Sequence, residues 1–143
     1  MGKMPYLYSL KKLEIPFEEA WGDFQEYWAN QNVKEFRTQI QNQGFTRIIE
    51  FKTKPNLHFY AFSFGEKYRF TLHAFSETNE VYMLIKVKYS LFAGRGFIWK
   101  VPQSFVDEFM EELGLEPTKL KSKIPFKYQK IQERVQTINT LQH

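Results

Sequence analysis

Between Leu57 and Tyr89 apolar and polar residues alternate through two turn signals, a pattern that limits this stretch to an antiparallel sheet with one apolar face. Phe64-Gly65-Glu66-Lys67 places glycine at the first central position of a two-residue hairpin loop, where a type II′ turn needs positive φ. Folding there predicts Ser63 opposite Tyr68, Ala61 opposite Phe70, Phe59 opposite Leu72 and Leu57 opposite Ala74. The reverse side then pairs His58 with His73, Tyr60 with Thr71 and Phe62 with Arg69. A second turn at Thr78-Asn79 predicts Ala74, Leu72, Phe70 and Tyr68 opposite Met83, Ile85, Val87 and Tyr89, with Lys86 and Lys88 on the polar side. A one-residue slip would send every apolar side chain to the wrong face.

The flanking segments supply what covers that face. Tyr6 to Ile15 alternates and predicts a first strand. Pro16 suits a first helical turn, Glu18 and Glu19 complement the helix dipole, and Phe17, Ala20, Trp21, Phe24 and Trp28 recur at helical spacing. Val33, Phe36 and Ile40 predict a second helix to about Asn42, closed by Gly44. Phe45 to Thr53 predicts a strand, joined by a three-residue loop, Lys54-Pro55-Asn56, that puts Phe51 opposite Phe59 and Ile49 opposite Ala61. Phe97, Trp99 and Val101 alternate as a last strand ended by Pro102; Phe105, Val106, Phe109, Met110 and Leu113 form an amphipathic helix stopped by Gly114.

At 143 residues the chain is long enough for one unstapled domain. It holds no cysteine, which excludes disulfides and thiolate chemistry. No apolar run approaches membrane-spanning length, and Met1 to Ile15 lacks a signal-peptide pattern, so a cytoplasmic location is expected. The net charge of +4 arises after Leu115: up to there 14 Lys/Arg balance 14 Asp/Glu, and beyond it six stand against two. The organisation expected is a domain over residues 1–115 and a basic helical extension over 116–143, in which Tyr128, Ile131, Val135 and Ile138 recur at spacings of three and four. Such a short helix is marginal alone, so it must dock on its own domain or on a second subunit, the latter giving a homodimer.

Two segments carry a family resemblance: Pro16-Phe17-Glu18-Glu19-Ala20-Trp21 after the first strand, and Trp99-Lys100-Val101-Pro102 entering the helix Phe105 to Leu113. With the element order they resemble the helix-grip domains of the START-like (SRPBCC) superfamily, most nearly its short archaeal members. The resemblance covers residues 5 to 115. It implies an α+β fold: a curved antiparallel sheet of about six strands over a C-terminal helix, with two short helices after strand 1. Ferredoxin-like and cystatin-like α+β folds are the alternatives. The final helix is shorter than the family's, and the basic tail has no counterpart in it.

The resemblance implies that a small apolar ligand (a lipid, fatty acid or aromatic metabolite) is bound or carried between sheet and helix. Its contacts would be Phe59, Tyr68, Phe70, Leu72, Met83, Ile85, Val87, Tyr89, Phe97, Trp99, Phe105, Phe109 and Met110, with Tyr68, Tyr89, Ser63 and Arg47 as polar groups. The competing reading is a packed core. His58 facing His73 with Glu50 nearby could hold a metal, but the spacing is no metal motif, and no metal or cofactor is expected. Lys67, Arg69, Lys86 and Lys88 share the outer face, Arg69 opposite Lys88, and could receive an anion or an acidic partner or serve as solubilising charge. The tail, basic and close to Phe126 and Tyr128, could contact nucleic acid or an anionic membrane surface. Gly94-Arg95-Gly96 lacks phosphate-loop spacing, and Glu18-Glu19 and Glu111-Glu112 are expected to be solvated charges. No nucleophile–base arrangement is present, so the expectation is a binding protein rather than an enzyme.

Overall fold

The structure, a computed structural model, describes residues 6–54, 56–58, 61–63, 65–88 and 100–141, with the backbone alone at 56–58, 61–63, 100–101 and 135–141. It is α+β, built on an open antiparallel sheet of five strands. β1 (Tyr6–Leu13) leads through Pro16, whose carbonyl accepts the first helical bond from Ala20 N–H at 2.9 Å, into α1 (Phe17–Ala29). There Ala20, Trp21, Phe24 and Trp28 are buried, the stripe expected from their spacing.

The second helix is not formed. Residues 34–41 are a strand, β2 (Lys34–Gln41), paired with β3 (Thr46–Lys52) through a 3-10 turn at Asn42–Gly44. A spacing of four between Phe36 and Ile40 suits one face of a strand as well as of a helix. β2 is an edge strand with little to bury, and Ile40 is 64% exposed.

β6 (Lys67–Phe75) and β7 (Glu80–Lys88) form the hairpin expected, shifted by two residues: Phe70 faces Ile85, Leu72 faces Met83 and Tyr68 faces Val87. The turn is four residues long, Ser76 to Asn79. Asn79 takes φ 58°, and Phe75 O accepts from Thr78 N–H and Asn79 N–H at 3.3 and 2.8 Å. An even shift keeps each side chain on its expected face, so the apolar face survives the change of partners.

The first expected hairpin is replaced. β6 pairs with β3, not with residues 57–63: Ile49 faces Phe70, Phe51 faces Tyr68, and His73 faces Thr46 and Tyr82. Residues 56–58 and 61–63 form instead a two-stranded sheet of their own, β4 (Asn56–His58) against β5 (Ala61–Ser63). Thr53 and Glu66 close the excursion: Thr53 N–H donates to Glu66 O at 2.9 Å, and Glu66 N–H donates to Thr53 Oγ1 at 2.8 Å. Gly65 takes φ +99°, and a Cβ there would lie 2.2 Å from Thr53 O, so glycine is required by close approach as well as conformation.

The sheet order is β1-β7-β6-β3-β2. Its inner face carries Leu7, Ile49, Phe51, Tyr68, Phe70, Leu72, Met83, Ile85 and Val87, packed against α1 and α2 (Lys100–Glu112), which supplies Val106, Phe109 and Met110. Val101, expected in a last strand, and Pro102, expected to end it, lie in the first turn of α2, where proline is tolerated. Gly114 (φ +69°) ends that helix in a Schellman motif: Leu115 N–H donates to Met110 O at 2.8 Å and Gly114 N–H to Glu111 O at 3.1 Å.

Beyond α2 the chain turns around the β1 edge. Gln103 holds the connection by donating to Thr118 O at 2.9 Å and accepting from Leu120 N–H at 2.8 Å. Tyr8 and Lys121 exchange backbone bonds of 2.8 and 2.9 Å, covering an edge that would otherwise offer free donors and acceptors. α3 (Phe126–Leu141) then lies on the outer face, with Tyr128 and Ile131 buried among Phe75, Tyr82 and Leu84. The sheet is therefore covered on both faces rather than one.

Candidate functional site

On the inner face the expected ligand contacts are brought together, and they touch one another. Tyr68, Phe70, Leu72, Met83, Ile85, Val87, Phe109 and Met110 are buried, and Phe105 is half-buried against them. The Trp28 ring centroid lies 4.5 Å from Phe51, 5.1 Å from Phe70, 5.2 Å from Phe105 and 4.9 Å from Phe109. Two donors in this cluster, Trp28 Nε1 and Tyr68 Oη, are buried without a partner among the described residues. Burial first, and then Glu66, raises the Tyr68 phenol well above its ordinary pKa. Phe59, Tyr89, Phe97 and Trp99 lie outside the described residues, as does Gly94-Arg95-Gly96, and Ser63 is described by its backbone alone.

Arg47 is already engaged. It forms a two-pronged pair with Glu18, both contacts 2.6 Å, and its guanidinium lies 4.8 Å from the Phe17 ring centroid. The hydrogen bond from Arg47 holds the Glu18 carboxyl below its usual range, so Glu18 is a paired charge rather than a merely solvated one. This pair lines a cleft of about 760 Å³ at one end of the sheet, where Lys12 is likewise matched by Glu80 at 3.3 Å.

The expected histidine pair is not assembled, because His58 is in β4 and His73 faces Thr46 and Tyr82 in the main sheet. Among the described residues no group of three His, Asp or Glu could hold a metal ion. His73 belongs instead to a buried polar chain: Asn42 Nδ2 donates to Thr46 Oγ1 at 3.1 Å, and Thr46 Oγ1 meets His73 Nδ1 at 2.5 Å. In His73, Nδ1 is engaged by Thr46, and Nε2 is buried with no partner among the described residues. Burial, and secondarily Arg134 of α3, lowers its pKa from 6.5 to about 4.

The outer face away from α3 holds a feature visible only once the register is known. Lys34 faces Lys52, Lys52 faces Lys67, and Lys67 faces Lys88. Four lysines thus stand in one line across β2, β3, β6 and β7, with Tyr6 of β1 opposite Lys88 at its end. At about 4.8 Å per strand the line spans roughly 14 Å. The next row carries Arg69 opposite Lys86, not Lys88. Among the described residues lining the hollow beside this row, Glu50 is the one carboxylate, and it is shared between Arg69 at 3.5 Å and Arg37 at 3.7 Å. Lys86 lies over the Tyr6 ring at 4.4 Å. Among the described residues, Lys52, Lys67 and Lys88 have no acidic partner. Lys67, Lys88, Arg69 and Lys86 line a hollow of about 220 Å³.

The two helices packed on the inner face are acidic. Half of the chain's 16 acidic residues lie on α1 and α2, with Lys100 their single basic companion; the other eight share the rest of the chain with 19 Lys/Arg. α3, which lies on the outer face, brings Lys127, Lys130 and Arg134 to that side. Among the described residues no helix is long and apolar enough to cross a membrane. No family model matches the chain, and no curated protein matches it.

Proposed function

We propose that this protein binds a phosphate-bearing polymer, a nucleic acid strand, on the outer face of its sheet. The observation that carries the reading is the line Lys34–Lys52–Lys67–Lys88, whose three inner-strand members are in continuous register and whose Lys34 end lies past a bulge in β2. Like charges directly opposed across strands destabilise a sheet, and here three successive strand pairs repeat the opposition. Edge protection, the ordinary reason for lysines on strands, does not account for it: β3, β6 and β7 are interior strands. An anionic polymer removes the repulsion and releases its own counterions on binding. The acidic surface on α1 and α2 orients the molecule so that its basic side meets the polymer.

The test is fluorescence anisotropy with a labelled single-stranded oligonucleotide at 50 mM salt. The wild-type chain binds in the micromolar range, and the combined Lys52→Gln, Lys67→Gln and Lys88→Gln variant loses at least tenfold. Glu108→Gln, on the opposite side, changes little. A wild-type protein that does not bind, or a triple variant that binds as well, overturns the reading.

A second reading rests on the unpartnered Trp28 Nε1 and Tyr68 Oη. Buried donors left unmade cost about 1–3 kcal/mol each, and a small aromatic or apolar molecule bearing an acceptor would satisfy them. In a helix-grip arrangement such a ligand sits between the sheet and α2. Native mass spectrometry after solvent extraction tests it: a copurifying apolar molecule supports the reading, and an empty extract with no uptake of a hydrophobic dye removes it.

A further inference from the structure

The basic hollow does not end at the lysine line. Arg69 and Lys86 also line a second hollow, of about 110 Å³, that runs under the flank of α3. Its walls offer hydrogen-bonding groups to an incoming molecule: the half-buried side chains of Gln41 on β2, Thr71 on β6 and Gln132 on α3 have no protein hydrogen-bond partner among the described residues. Tyr128 closes the same space from α3. The two hollows are consecutive along the strands, because Arg69 and Lys86 are two residues from Lys67 and Lys88, about 7 Å away.

We propose, building on the reading above, that the two hollows form one site for single-stranded nucleic acid, with the phosphates on the lysine line and an unpaired base turned into the space beneath α3. The volume is the room of about four waters, of the order of one base and well short of a base pair. An amide side chain offers both a donor and an acceptor, and glutamine matches the exposed edge of adenine in particular. Gln41 and Gln132 present two such amides from opposite walls, beside a tyrosine and the cations of the ledge. Single-strand binding combines the same two ingredients, a basic track and contacts to unstacked bases. In a duplex that edge stays open in the major groove, but the base is stacked and paired and cannot turn into a hollow beneath α3, so the site discriminates by strandedness.

The experiment compares three labelled probes on the full chain at one salt concentration: an eight-nucleotide oligodeoxyadenylate, an abasic strand of the same length and a duplex of the same length. The adenylate strand binds at least tenfold more tightly than the abasic strand, and more tightly than the duplex. Gln132→Ala and, separately, Gln41→Ala reduce the adenylate advantage to threefold or less while leaving the salt dependence unchanged. Both variants must melt as the wild type does, and the two positions serve as checks on each other. If all three probes bind equally, the base-binding proposal fails and the polyanion surface stands. If none binds, the underlying reading fails with it.

Discussion

Acidification from pH 7 to pH 4.5 unfastens the buried chain Asn42–Thr46–His73, and the loss of stability can be worked from the geometry. His73 is buried, and its Nδ1 is held against the Thr46 hydroxyl. Charging it means desolvating an imidazolium and placing it near Arg134. Its pKa is about 4 in the fold and about 6.5 when unfolded. Between those values the unfolded chain holds a proton that the folded chain does not, so stability falls as pH falls through the window and levels off below about 4. A gap of about 2.5 units corresponds to about 3 kcal/mol, or nearer 2 once local relaxation and solvent screening are allowed for. Urea unfolding at half-unit steps from pH 7.5 to 4.5 measures it. In His73→Gln, which is less stable at pH 7, the fall across this window shrinks by most of that amount. A His73→Gln variant that falls as steeply as the wild type would refute the reasoning and assign the pH sensitivity to other groups.

Three further outcomes follow from the packing and the charges. Phe109 has the rings of Phe24, Trp28, Tyr27 and Phe70 within 4.9–5.2 Å, so Phe109→Ala lowers unfolding stability by about 3–5 kcal/mol, as chemical denaturation would show. Gly65→Ala meets Thr53 O at 2.2 Å from a left-handed backbone; it costs about 1–3 kcal/mol and shows as a lowered Tm. Lys67 stands between Lys52 and Lys88, so Lys67→Gln raises the Tm at low salt by an amount that vanishes near 1 M salt. The same substitution weakens oligonucleotide binding and makes the log–log salt slope shallower by about 0.7.

How much of this was legible in the sequence depended on what periodicity encodes. α1 was readable because Ala20, Trp21, Phe24 and Trp28 cannot share a side of anything but a helix. The inward set, Ile49, Phe51, Tyr68, Phe70, Leu72, Met83, Ile85 and Val87, was readable because alternation determines the face. Neighbours were not, since parity is blind both to a two-residue shift and to exchanging one alternating strand for another. Hence β6 could be assigned to residues 57–63 when β3, with Ile49 and Phe51 in the same phase, is its partner. β2 is ambiguous in the sequence because Phe36 and Ile40 satisfy both periods and an exposed edge strand adds no burial signal to decide between them. The lysine line is a consequence of register and could not be seen before it. The stripe of α3 was visible, but its docking place was not, because Phe75, Tyr82 and Leu84 become a patch only when the outer face is assembled.

The central claim is that the outer face, not the aromatic inner one, is the working surface. Titrating isotope-labelled protein with a single-stranded oligonucleotide at 50 mM salt and following backbone amide resonances tests it most directly. The account predicts shifts concentrated at Lys52, Lys67, Arg69, Lys86 and Lys88, with α1 and α2 undisturbed. Shifts centred on α1 and α2, or none at saturating probe, would contradict it.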